Sequence, residues 1–220
     1  MVISGAASPV AGYFALAAIP ARYALERQDW KAAAALTVRE TPVPYTEAMT
    51  YFARGLAAAR LGDIAGARAS REALTKIHEL LKKSNEGYWA EQVEIERRGV
   101  SAWTELAEGH MGKALQEMRS AAELEDGAEK SAVTPGPLAP ARELLGEMLL
   151  QMNQPGQALE QFEATLKREP NRFRALYGAA RAAQLKGDSE TSRRYFGALL
   201  KVCEHADKPG RRELAEAMAG

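Results

Sequence analysis

The stretch QALEQFEATLKREPNR, Gln157 to Arg172, reads as one amphipathic helix closed by a proline. Ala158 and Phe162 stand four apart on one face, and Pro170 stops the helix because it lacks an N–H and its ring clashes with the preceding turn. Twelve residues before Ala158 stands Gly146, and the same pair of small residues recurs as Ala21 and Ala33, Gly55 and Ala67, Ala102 and Ala114, Ala180 and Ser192. The steps between copies are 34, 47, 44 and 34 residues. A turn lies inside each copy: RQD at Arg27–Asp29, LGD at Leu61–Asp63, EGH at Glu108–His110, MNQPG at Met152–Gly156 and KGD at Lys186–Asp188. The chain therefore reads as five helix–turn–helix copies, with Gly, Ala or Ser wherever two helices must cross closely.

The copy around the opening stretch carries the fullest pattern. Leu145-Gly146, Leu149, Ala158, Phe162 and Pro170 fall where L-G-x-x-Y, A-x-x-x-F and P are expected, with Arg142 in place of tryptophan. On these residues the chain resembles the tetratricopeptide repeat (TPR) family from about residue 14 to 205; the third copy departs most, with Ser101 and Glu105 at usually apolar positions. The phrases IPARYALERQDW and VTPGPLAPARELLGEMLL also resemble the C-terminal region of longer bacterial TPR proteins, which implies further repeats upstream of Ser8. The resemblance implies an all-α protein: one domain, residues 1–220, forming a right-handed α-solenoid of about five repeats plus a C-terminal capping helix. The repeats are expected at about 14–47, 48–83, 87–125, 139–172 and 173–206, and the cap at 208–218.

The longer inner steps place insertions. Ile64–Lys83 and Tyr88–Ala107 contain one glycine each and no proline, which predicts long helices over 63–83 and 87–107. LEDGAEKSAVTPGPLAP, rich in Gly and Pro, predicts an irregular loop over 125–138, either functional or a spacer. Asp29, Asp63 and Asp188 suit the caps of second helices. Pro20 is expected to kink the first helix or start it afresh. Val10, Phe14, Leu16 and Ile19 form an edge without the polar face of a capping repeat, expected to meet upstream repeats, a folded-back tail or a second copy, whereas Leu214 and Met218 can lie on the last repeat.

Charge and chemistry narrow the function. Lys+Arg 29 against Asp+Glu 29 leaves no net field to gather nucleic acid or anionic lipid. The run PVAGYFALAAIPA is too short to span a bilayer, and a signal peptide would want basic residues near Met1, so no membrane insertion and a cytoplasmic site are expected. Cys203 lies in a helical pattern as a small buried hydrophobe. His78, His110 and His205 show no acidic or cysteine partner at ligand spacing, and HELLK at His78–Lys82 puts a lysine where a zinc site needs its second histidine. There is no phosphate loop and no G-x-S-x-G, and Glu125-Asp126 lacks an acid-base partner. No metal, cofactor or enzymatic activity is expected.

The resemblance instead implies a concave groove lined by first helices. Carried over by repeat position, it assigns partner contacts to Met49, Phe52, Leu56 and Trp103 in an apolar half, and to Glu143, Glu147, Arg174, Tyr177 and Arg181 in a charged half. Two readings stand: these side chains are core and solvated face, or they receive a peptide whose acidic groups meet Arg174 and Arg181. The functional expectation is a non-catalytic protein-interaction scaffold for a peptide or partner subunit. The alternatives are a structural or self-association module, homodimeric through the array ends, or an accessory domain of a larger protein.

Overall fold

The computed structural model describes residues 9–128, 136–207 and 210–219. Among them are eleven helices and no strand. In chain order they are α1 (Pro9–Glu26), α2 (Trp30–Ala34), α3 (Pro44–Leu61), α4 (Ile64–Lys83), α5 (Gly87–Ala107), α6 (Met111–Gly127), α7 (Ala141–Gln151), α8 (Pro155–Arg168), α9 (Phe173–Lys186), α10 (Ser189–Val202) and α11 (Arg212–Ala219). None is long and apolar enough to cross a membrane.

One turn geometry closes the first helix of all five pairs. Gln28, Gly62, Gly109, Asn153 and Gly187 take positive φ. The next amide, of Asp29, Asp63, His110, Gln154 or Asp188, donates five residues back, to Ala24, Ala58, Glu105, Leu149 or Ala183, at 2.8–3.0 Å. This is the Schellman arrangement, which satisfies carbonyls the helix end leaves open. Three of the glycines are required by that backbone, since a Cβ is strained at φ 80 to 84. The three expected aspartate caps form: Asp29, Asp63 and Asp188 accept from Ala32 N, Gly66 N and Thr191 N at 2.9–3.0 Å.

Every member of the small-residue column is buried. A Cβ built on Gly55 would stand 2.7 Å from Val100, so α3 and α5 approach at a distance only glycine allows. The chain divides into two compact units, Met1–Ala141 and Arg142–Gly220. In the first, α3 packs on α4 and α5, α5 on α6, and α1 and α2 on α3. In the second, α8 packs on α9, α9 on α10, and α10 on α11. There Leu176, Ala180, Phe196, Leu199, Leu214 and Ala217 form a core cluster.

The long helices appear as expected, but three local expectations are corrected. The second helix of the first pair is short and ends at Ala34. Beyond it Thr37 and Val38 are β-branched, and Pro42 and Pro44 disfavour helix in the residues before them, leaving an irregular segment up to Val43. Helix α1 runs unbroken through Pro20, which removes the alternative of a fresh start there and leaves that of a kink. Helix α6 continues through Glu125 to Gly127, where the loop was expected to begin; Glu125 accepts from Ala141 N at 2.8 Å, and residues 129–135 of that loop lie outside the described residues. Met218 is 74% exposed while Leu214 is buried, so one of the two apolar positions of α11 docks. In the first unit, Val10, Leu16, Ile19 and Tyr23 are exposed, and Phe14 is half-buried beside Trp89.

Candidate functional site

The nine residues assigned to partner contacts fall into two sets, each considered within its own unit. Met49, Phe52 and Leu56 of α3 and Trp103 of α5 are all buried. The Arg60 guanidinium stands 4.3 Å from the centre of the Trp103 ring and 4.8 Å from that of Trp30, so a side chain of the same chain fills the aromatic slot. Trp103 Nε1 is buried without a hydrogen-bond acceptor. On the same helix Glu96 has no described ion pair or hydrogen bond; burial pushes its carboxyl up to about 8, although the residue keeps some exposed surface. An acid without a cationic partner is neutral at a pH where most glutamates are charged.

In the second unit the assigned charges are engaged by side chains of the same unit. Buried Glu143 accepts from Arg172 Nε at 2.7 Å and from its Nη2 at 2.9 Å. Buried Arg174 donates to Glu147 at 3.0 Å and to Glu213 at 2.9 Å. Burial opposes the charge of Arg174, but Glu147, Glu143 and Glu213 outweigh it and raise the guanidinium pKa above its ordinary value. Glu213 is likewise opposed by burial, and its own backbone amide, Arg211 and Arg174 bring it below the usual carboxylate range. The Tyr177 hydroxyl donates to Glu216 at 2.5 Å; burial first, and then that carboxylate, push the phenol up to about 12. A ladder of opposite charges thus ties α9 to α7 and α11. Tyr177, Arg181 and Glu147 keep partial exposure, and Arg181 donates to Gln184 at 2.7 Å.

The reading of the histidines is corrected. Helix α5 ends with Glu105 facing the following turn, and left-handed Gly109 brings His110 back to it, so His110 Nδ1 lies 2.8 Å from Glu105 and 3.9 Å from Glu108. These three offer ligand atoms within 4.8 Å of one another, the donor set of a divalent cation, but Arg68 already pairs with Glu108. His78 lies 3.9 Å from Glu94, which also holds Arg97 and Arg98. The i−5 pairing follows no metal-motif spacing; it arises from the reversal that a Schellman turn imposes. Cys203 is half-buried, and burial raises its thiol pKa, away from nucleophilic thiolate.

No family model matches the chain, and neither a curated protein nor a solved structure matches it.

Proposed function

We propose that the five helix pairs are TPR-like repeats of a right-handed α-solenoid, and that the protein is a non-catalytic scaffold holding a peptide or partner subunit against its first helices. The observation that carries this reading is the recurrence in register of the Schellman turn and the buried small-residue column. One packing unit is used five times, and stacked units of that kind present extended surfaces for recognition. The partner-facing residues favoured are Tyr177 and Arg181 on α9, which retain exposure and combine an aromatic ring with a cation. Met49, Phe52, Leu56 and Trp103 serve as the packed support of the first unit.

The test is recovery of a partner on immobilised wild-type chain, followed by titration against Arg181→Glu. At least a tenfold loss of affinity with unchanged circular dichroism is expected; equal binding by the variant rejects the assigned face. A second reading, self-association, is favoured by the exposed Ile19 and Tyr23 on α1. Sedimentation separates the two, since a concentration-independent monomer removes it.

A further inference from the structure

The join between α6 and α7 is longer than its counterparts: residues 84–86 link α4 to α5 and residues 169–172 link α8 to α9, whereas residues 128–140 stand before α7. Its last residues are anchored at two places within the first unit. Arg22 of α1 donates from Nη1 to the Pro137 carbonyl at 3.0 Å and from Nη2 to the Gly136 carbonyl at 2.6 Å, 115 and 114 residues away in sequence. At the other end Glu125 of α6 accepts from Ala141 N at 2.8 Å. Residues 136–141 therefore bridge α1 and α6, helices that α3 and α5 separate in the order of packing. Leu138, between the anchors, is 5% exposed and Pro140 is buried, so the segment is docked on the unit. Helices of an array are joined by a few residues, so the added length is not needed for the join.

What Arg22 holds is, chemically, a peptide. Its guanidinium takes two consecutive main-chain carbonyls through charge-assisted hydrogen bonds. Pro137 and Pro140 lack an N–H and restrict the residues before them, so the segment forms neither helix nor strand and loses little freedom on docking. Arg22 follows Ala21 by one residue, as Leu56 follows Gly55 and Trp103 follows Ala102. It therefore holds, in the first pair, the position that Leu56 and Trp103 hold in the next two. We infer that residues 136–140 are an intramolecular ligand: the face of α1 around Arg22 is a docking site for a proline-containing peptide, filled in the free chain by the chain's own segment and open to a partner's peptide when that segment is displaced. The inference rests on the reading of the first helices as a recognition face.

The probe is the segment itself as a free peptide, acetyl-GPLAP-amide, titrated into the full chain and followed by amide NMR. A short tether supplies an effective concentration on the order of 1 mM, so a segment that stays docked corresponds to a free-peptide Kd of roughly 0.1 mM. In a full chain whose residues 136–140 are exchanged for GSGSG, the peptide is expected to give saturable shifts at Arg22 and its neighbours on α1. The wild type, already occupied, should bind it about tenfold more weakly. Leu138→Ser, which loosens the segment without removing it, should bring the affinity of the native chain up towards that of the exchanged one. Adding Arg22→Gln to the exchanged chain should weaken the peptide about tenfold. The inference is overturned if the folded exchanged chain gives no saturable shifts, if the wild type binds the peptide as tightly, or if Arg22→Gln leaves affinity unchanged. Should the exchanged chain not fold, Leu138→Ser carries the same comparison, and equal binding by that variant and the wild type is the contradicting result. Arg181→Glu bears on the scaffold reading alone, because Arg181 lies in the second unit, so each reading can fail without the other.

Discussion

Gly146 lies directly beneath Phe162: a methyl group added to Gly146 would stand 2.8 Å from the end of that ring. Gly178 meets the same ring from α9, so one fully buried phenylalanine fixes the approach of the helices on either side of α8. Gly146→Leu should cost about 1–3 kcal/mol by overpacking. Gly197, in the body of α10, has open space where a Cβ would go, and Gly197→Ala should instead stabilise by about 0.5–1 kcal/mol. Urea unfolding of the two variants checks the opposite signs.

The turns supply a second prediction. Gly62, Gly109 and Gly187 sit at φ 80 to 84. Replacing any of them with alanine should cost roughly 1–2 kcal/mol. Asn153→Gly removes a side chain from the equivalent position at φ 56 and should be close to neutral, because relief of strain is offset by the freedom glycine gains when unfolded. Thermal unfolding of the four variants should rank them accordingly.

The charge ladder of the second unit predicts an asymmetry between removing a charge and replacing it. Glu213→Gln leaves buried Arg174 with one carboxylate fewer and should destabilise by about 3 kcal/mol, whereas replacing Arg174, Glu147 and Glu213 together with apolar residues should cost less. Because the folded pKa of Glu213 is lowered, its contribution is present above the unfolded value near 4.5 and is lost as pH falls. Chemical denaturation at pH 7 and pH 4 should show the Glu213→Gln penalty shrinking with acid.

Glu96 has the opposite sign. Its carboxyl titrates at about 8 when folded against about 4.5 when unfolded, so the folded state holds a proton that the unfolded chain releases. That contribution is complete below about 4.5 and is lost as pH rises towards 8. Glu96→Gln, which stays neutral, should match the wild type at pH 5 and unfold several degrees higher at pH 8. Differential scanning calorimetry at the two values decides it.

Much of the helix order was legible because the constraint is local. A residue at a close crossing must be small, and an aspartate after a left-handed turn caps the next helix, so Gly146, Ala158 and Asp188 announce themselves in the sequence. The short α2 was partly legible too, since Pro42 and Pro44 cannot continue a helix, but the strong repeat signal of Ala21 and Ala33 masked them. The candidate site was less legible. Position in a repeat told which residues share a helix face, not whether that face is free: Trp103 is covered by Arg60, and Arg174 is engaged by Glu147 and Glu213, pairings between residues 27 to 43 apart that no local pattern records.

Repeated use of one helix–turn–helix unit is checked by measuring the backbone at Gln28, Gly62, Gly109, Asn153 and Gly187 in solution. In the labelled protein, scalar couplings and intraresidue amide–Hα nuclear Overhauser effects report the sign of φ, and couplings across hydrogen bonds identify each amide's acceptor. Positive φ is expected at all five, with the following amide of each pair bonded to the carbonyl five residues earlier. Negative φ at two or more of these positions, or following amides without that bond, would contradict it.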